Sequence, residues 1–308
     1  MRAVAIDGFG GRERMRLVEL PTPEVSPEGV LVRVRAAGVG PWDVKEREGF
    51  FGERSFPHVL GLEGAGVVEA AGLQAGGFAE GDEVYLASGG CYAEYVTAPA
   101  GVVARKPASL SFEEAAAVPI AGCTAHQALF DEIGLRRDET ILITGATGGV
   151  GTFAVQLASG VIGARVIGTA SPHNHDYLRD LGAEAAIDYH GDWVSAVREA
   201  APDGVDAVFD CVGGETFRRS FGAVRDGGRV VSIVAFGEEV EEARGISYHA
   251  FSATSDRPRL ERLAEMIDAG RLHVEVADVL PLARAAEAHE RVESGHTRGK
   301  IVLRVADQ

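Results

Sequence analysis

The chain has 308 residues, 46% hydrophobic and 25% charged, the composition of a globular protein long enough for two domains with separate cores. Its 46 acidic and 30 basic residues leave a formal charge of −16, which opposes nucleic acid or an anionic membrane surface as the main partner. Three scattered cysteines, Cys91, Cys123 and Cys211, form no CxxC pair, so neither a disulfide framework nor a zinc ribbon is predicted.

The first residues, MRAVAIDGFGGRERMRL, lack the apolar stretch of a signal peptide and read as strand and turn, so a cytoplasmic protein is expected. Short strands come next, LVRVRAAGV (31–39), GAGVVEAAG (64–72) and DEVYLAS (82–88), with more β-like sequence in EYVTAPAGVVARKP (94–107). Pro and Gly punctuate them closely, as in a β-rich, barrel-like domain. Ser111 and Glu114 then form a capping box that opens a helix running to Pro119, and a second helical stretch is predicted over 124–133.

From Thr140 strands and helices alternate. ILITG (141–145), RVIGTA (165–170), AAIDY (185–189), VDAVFDCVG (205–213) and RVVSIVA (229–235) are strand candidates, with helical patterns such as HDYLRDLG (175–182) between them. Such alternation predicts a doubly wound parallel sheet. The run 141–164 carries no charge, but its clustered glycines fit strand, turn and packed helix rather than a membrane span. PRLERLAEMIDAG (258–270), capped by Asp256, and LARAAEAHERVESG (282–295) read as amphipathic helices, and GKIVLRV (299–305) as a last strand. Domain limits are expected at 1–117 with 251–308 for the β-rich part and 118–250 for the α/β part.

The main chemical signal is ITGATGGVG (143–151), with Gly145, Gly148 and Gly151 at G-x-x-G-x-x-G spacing between an apolar strand and a helix. Glycines let a pyrophosphate approach the backbone, and the helix N-terminus offers it N–H groups and partial positive charge. At the tip of the next strand, GTASPHN carries Ser171 where an NAD site would usually place a carboxylate for the ribose 2′-hydroxyl. A hydroxyl there tolerates a 2′-phosphate, so NADPH is favoured as cofactor.

With these pieces in order, the chain resembles the quinone oxidoreductase branch of the medium-chain dehydrogenase/reductase superfamily. The segments carrying the resemblance are AAGVGPWD (36–43), PHVLGLEGAGVV (57–68), AAAVPIAGCTAHQAL (115–129), ITGATGGVG, GTASPHN, LGAEAAIDY (181–189), DCVGGETF (210–217), GGRVVSI (227–233) and GHTRGKIVL (295–303). The resemblance implies an α/β fold, a Rossmann-type doubly wound parallel sheet plus a β-rich GroES-like barrel domain. It assigns Thr147, Gly148, Gly149 and Val150 to the pyrophosphate turn, with Thr124 and Lys300 near the phosphates. Ser171 and Asn174 fall at the 2′-phosphate and Tyr189 beside the adenosine phosphate. Val212, Ile233, Val234 and Ala235 line the adenosine and nicotinamide. A homodimer paired through the cofactor domain is also implied, with RVVSIVA as its edge strand.

Zinc-dependent relatives take a Cys from the segment matching Val39–Asp43 and a His just before the residue matching Glu63. Gly40 and Leu62 stand there, neither of which can ligate zinc, so no metal is predicted. Two polar residues common in the branch are also replaced, an Asn by Gly40 and a Tyr by Phe51, and Asn174 stands where some relatives carry Lys. Trp42, Phe50, Phe51 and Phe251 are the candidate walls of a pocket for a small apolar or aromatic quinone or conjugated carbonyl compound, with Asp43 and Glu63 in support. No side-chain acid is evident. Competing readings are a catalytically retired NADPH-binding sensor or structural protein and a carbonyl or alcohol dehydrogenase.

Overall fold

The computed structural model describes residues 1–238 and 244–306. It divides into two compact units, Met1–Cys123 with Ser255–Gln308, and Thr124–Thr254. The first unit opens with β1 (Arg2–Ile6), β2 (Met15–Glu19), β3 (Gly29–Val39), α1 (Pro41–Arg47), β4 (His58–Val59), β5 (Gly64–Ala71), β6 (Glu83–Leu86), β7 (Tyr95–Pro99) and β8 (Val103–Arg105). Strand β3 shows why this part is β-rich. Val30, Val32 and Val34 are fully buried, while Arg33 and Arg35 alternate onto the half-exposed face. In β5, a Cβ on Gly66 would come within 2.2 Å of the Arg33 carbonyl oxygen, so only glycine permits that close pairing.

Helix α2 (Phe112–Ala116) begins at the predicted capping box: the Glu114 amide donates to Ser111 Oγ at 3.2 Å and the Ser111 amide to Glu114 Oε2 at 2.8 Å. Helix α3 (Pro119–Gln127) starts five residues before the predicted second stretch. Proline lacks the N–H that a first helical turn does not use, so Pro119 opens this helix where the sequence pattern suggests a breaker.

The second unit holds β9 (Thr140–Ile143), α4 (Gly149–Gln156), β10 (Arg165–Ala170), α5 (His175–Asp180), β11 (Ala185–Asp188), α6 (Trp193–Ala200), β12 (Val205–Asp210), α7 (Gly214–Ser220), β13 (Val224–Ser232) and β14 (Ser247–Ala250). Every pair in this sheet is parallel, in the order β11-β10-β9-β12-β13-β14. This is the predicted doubly wound sheet, with the order reversing at β9, where ligands bind outside the carboxyl ends of the strands. Leu142, Ile167, Trp193, Val208, Phe217 and Val230 are part of its buried core. Strand β14 has no counterpart among the predicted elements. It pairs with β13, so the segment 229–235 is internal and not the sheet edge invoked for dimerisation.

The chain returns to the first unit with α8 (Arg257–Asp268), β15 (Val276–Pro281), α9 (Ala285–Glu293) and β16 (Lys300–Arg304). Asp256 caps α8 by accepting from the Arg259 amide at 2.8 Å. Strand β16 runs antiparallel to β3, in a sheet ordered β15-β16-β3-β5-β6-β8 with β7 also on β3; β2-β1-β4 form a second sheet. No helix among the described residues is long and apolar enough to cross a membrane.

Candidate active site

Strand β9 ends in the glycine turn. Gly145 adopts φ +62°, a left-handed conformation that glycine accepts without strain. Gly148 is the N-cap of α4, and a Cβ on Gly151 would lie 2.2 Å from the Gly145 carbonyl oxygen. The helix therefore seats directly on the turn. The amides of Gly149, Val150 and Gly151 open α4 and have no acceptor within it, and Thr147, predicted with them, is buried beside them in the turn. These features fit the phosphates of a dinucleotide. Thr124, also assigned to the cofactor, is buried within α3.

A carboxylate to which the sequence analysis gives no role of its own organises this end of the sheet. Asp210, fully buried at the end of β12, accepts from Thr144 Oγ1 at 2.7 Å, Ser232 Oγ at 2.8 Å and the Gly213 amide at 3.0 Å. Ser232 Oγ in turn accepts the Val234 and Ala235 amides at 3.2 and 3.0 Å. The carboxyl ends of β9, β12 and β13 are thereby tied together. Val212 and Val234 stand 52% and 39% exposed above them, and Ile233 and Ala235 are buried. Cβ atoms built on Gly145 and Gly213 would sit about 3 Å from the methyl groups of Val212 and Val234 respectively, so both valines pack on the glycine backbone. The available signal was a polar residue closing each of three apolar strands: Thr144, Asp210 and Ser232.

The register Ala170↔Asp188 between β10 and β11 brings two predicted residues side by side. The Ser171 and Tyr189 hydroxyls are 2.9 Å apart, and Asn174 lies in the turn beyond, its amide donating to the Ser171 carbonyl at 2.9 Å. Asp188 accepts from the His190 amide at 3.1 Å and faces His190 Nδ1 at 2.6 Å, and these hydrogen bonds hold its pKa below the usual carboxylate value. The Tyr189 and His190 rings lie 4.4 Å apart.

In the first unit, Trp42 of α1 packs with Phe50 and Phe51 at ring-centroid separations of 5.6 and 5.9 Å. Phe50 is 59% exposed and Phe51 40%, an aromatic surface outside the core. Phe251 belongs to the second unit, where it is buried and its amide extends β14 by donating to the Ser232 carbonyl at 3.1 Å.

Beside Trp42 in sequence lies a buried charged group. Asp43 accepts from the Gly40 amide at 2.7 Å and the Leu62 amide at 3.0 Å. Glu63 accepts from the Ile120 amide at 2.7 Å and pairs with Lys300 Nζ at 2.6 Å. All three side chains are buried. Desolvation pushes Asp43 up to about 7; the nearby Lys300 ammonium opposes the rise and Glu63 adds to it. Lys300, assigned by resemblance to the pyrophosphate, is thus anchored to a carboxylate of the β-rich unit. Its ammonium lies 3.1 Å from where a Gly40 Cβ would be.

The thiols of Cys91, Cys123 and Cys211 are free, and burial pushes each above its usual range, Cys123 to about 12. Among the described residues no three His, Cys, Asp or Glu side chains are grouped to hold a metal ion.

Comparison with known proteins finds two family models along the chain. A family model for the alcohol dehydrogenase GroES-like domain matches residues 26–108, and one for zinc-binding dehydrogenases matches residues 181–303. The synaptic vesicle membrane protein VAT-1 homolog of Mus musculus is 36% identical over 237 residues, 75% of this chain but 58% of its own length. The match thus spans less than two thirds of that relative. The chloroplastic NADPH-dependent alkenal/one oxidoreductase of Arabidopsis thaliana is 32% identical over 319 residues, 98% of this chain and 79% of its own. Among solved structures, an NAD-dependent alcohol dehydrogenase superposes with a TM-score of 0.93 at 36% identity, over 99% of this chain and 100% of the other. The quinone oxidoreductase of Coxiella burnetii gives 0.90 at 34% identity, over 99% of both chains.

Proposed function

The chain belongs to the medium-chain dehydrogenase/reductase superfamily, in its quinone oxidoreductase branch, and we propose that it is an NADPH-dependent, zinc-independent reductase of quinones or α,β-unsaturated carbonyl compounds. The observation that carries this reading is the glycine cradle at the end of β9, sealed by Gly151, beside an Asp210 network that fixes the neighbouring strand ends. Bound in that cradle, the dihydronicotinamide cofactor supplies a hydride.

The protein's own groups do the rest. The amides at the start of α4 bind the pyrophosphate, and Val212 and Val234 offer apolar surface to the adenosine and nicotinamide. The Ser171 and Tyr189 hydroxyls and Asn174 receive the 2′-phosphate, which favours NADPH over NADH. The Trp42, Phe50 and Phe51 surface takes a flat, apolar substrate. Gly40 and Leu62 deny zinc its ligands, which separates this chain from zinc-dependent alcohol dehydrogenases. We also infer a cytoplasmic homodimer, with β14 rather than the 229–235 strand as the sheet edge available for pairing.

A second reading, an NADPH-binding sensor without turnover, is favoured by the loss of polar side chains at Gly40 and Phe51. Oxidation of NADPH and of NADH, each measured against a panel of enones and quinones, tests both readings. Turnover with NADPH supports the reductase. NADPH binding with no turnover on any member makes the chain a sensor, and equal use of NADH removes the cofactor assignment.

A further inference from the structure

The corner of the second unit that carries Ser171 and Tyr189 is poor in fixed positive charge. From Ser171 to Asp192 the one lysine or arginine is Arg179, and its guanidinium pairs with Asp176 at 2.8 Å. Arg219 of α7 reaches this stretch only to donate to the Gly191 carbonyl at 2.9 Å and to face Asp192 at 3.7 Å. The corner holds instead an acid and three histidines. The Asp188 side chain, at the end of β11, is 39% exposed and lies 2.6 Å from His190 Nδ1, with the His190 imidazole 66% exposed. His175 of α5 also acts on Asp188 through space, and its Nε2 is 3.2 Å from the Ala170 carbonyl. His173 is exposed in the turn between Ser171 and α5.

The His190 ring lies 4.4 Å from the Tyr189 ring, whose hydroxyl is 2.9 Å from Ser171 Oγ. Imidazole and hydroxyl pair thus fall within one Debye length, about 10 Å at 0.1 M salt. A 2′-phosphate received by these hydroxyls meets Asp188 as a like charge. A protonated His190 cancels the charge of Asp188, and a neutral one leaves it uncovered. Histidine is the side chain that ordinarily makes this change between about pH 5 and 8. We propose that the Asp188–His190 pair sets the selectivity between NADPH and NADH and makes it depend on pH, with NADPH favoured while His190 carries its proton. This rests on the assignment of the 2′-phosphate to Ser171 and Tyr189, and names the pair that regulates that site. Above the histidine range the bound phosphate draws a proton from solvent onto His190. NADH has no 2′-phosphate and leaves the pair undisturbed.

The test is calorimetric titration of the intact protein with NADP⁺ and NAD⁺ at about pH 6.5 and about pH 8.5. NADP⁺ affinity should fall roughly fivefold over that interval and NAD⁺ affinity by less than about twofold. Buffers of different ionisation enthalpy should show net proton uptake with NADP⁺ and none with NAD⁺. His190→Gln should bind NADP⁺ at the weaker level at both pH values. Asp188→Asn, which removes the repelling charge, should restore NADP⁺ affinity at the higher pH to the wild-type value at the lower one. The ionisation of the phosphate itself, near pH 6, acts alike on all three proteins and drops out of their differences. A wild-type preference for NADP⁺ that is the same at both pH values overturns the proposal and leaves the cofactor assignment standing. A pH dependence that survives in His190→Gln transfers the effect to His173 or His175 and also overturns it. Equal affinity for NADP⁺ and NAD⁺ at both pH values removes the 2′-phosphate site itself, and the proposal with it.

Discussion

Replacing Gly151 of α4 and Gly160 of the π-helical segment Leu157–Ile162 that continues it separately by alanine makes the same chemical change, with opposite expected signs. At Gly151 the new methyl would sit 2.2 Å from the Gly145 carbonyl oxygen and 2.7 Å from the Ala146 Cα. Ordinary contact is about 3.5 Å, so α4 must retreat by roughly 1 Å from a turn whose neighbouring atoms are backbone and cannot repack. Overpacking costs about 1–3 kcal/mol, and this site belongs at the upper end. The helix preference of alanine returns about 0.8–1 kcal/mol, leaving a net loss of about 2 kcal/mol. At Gly160 nothing lies within 4 Å of the added Cβ, so alanine should stabilise by about 0.5–1 kcal/mol. Urea unfolding checks both. The chain has two tryptophans, and Trp193 is buried in the core of this unit, so a Trp42→Phe background makes its fluorescence a reporter of that unit alone. Gly151→Ala should also weaken NADPH binding because the amides at the start of α4 are displaced. A Gly151→Ala protein as stable as its parent, with unaltered cofactor affinity, would refute the close-packed cradle.

Four further outcomes are expected. Ser171→Asp should cut NADPH affinity about tenfold or more through repulsion of the 2′-phosphate while sparing NADH, read by parallel titrations. Phe51→Ala should raise KM for an enone about fivefold, near 1 kcal/mol, because a side chain 40% exposed has limited apolar area to lose; an unchanged KM would remove it from the substrate surface. Extended dialysis against a chelator should leave activity unchanged, and elemental analysis should find zinc far below one atom per chain. Burial, then the charges of Arg47 and Arg12, depress His289 from 6.5 to about 3, so the unfolded chain protonates first on acidification. The stability this confers is full above about pH 6.5 and lost progressively towards pH 3, by at most roughly 4 kcal/mol; His289→Gln should flatten the acid limb of the unfolding curve.

Features set by neighbouring residues were legible in the sequence. The Ser111–Glu114 box, the strand 165–170 and the glycine turn each arise from side chains a few positions apart, and each is present in the fold. The misreadings have physical reasons. Pro119 carries the same local signal whether it ends one helix or begins the next, and the helical residues on its C-terminal side, 120–127, settle the matter in favour of a beginning. Strand β14 is only four residues long and is held by pairing to β13, a contact that no local pattern encodes. Asp210 reads as the end of an apolar strand, and its role depends on hydroxyls from β9 and β13 arriving at the same point. Lys300 and Glu63 meet because β16 and β5 both flank β3, so their ion pair is a product of sheet order.

That buried group also bears on the choice between a working enzyme and a retired one. Asp43 has its pKa raised to about 7 by desolvation. An acid whose folded pKa exceeds its unfolded value favours the fold while protonated, and that advantage is lost as pH rises from about 4 through about 7. At neutral pH and above, the carboxylate is therefore a net cost to stability. Pairing Lys300 with Glu63 does not recover it, since buried ion pairs seldom outperform apolar residues of the same size. An apolar filling of the same volume would serve a merely structural domain better. Local rules are broken in this way where chemistry demands it, and the breach lies at Asp43, the residue that follows Trp42 in sequence, with the Lys300 ammonium close to Gly40. A buried charged cluster kept at a cost to stability is the mark of a working site rather than of a retired scaffold.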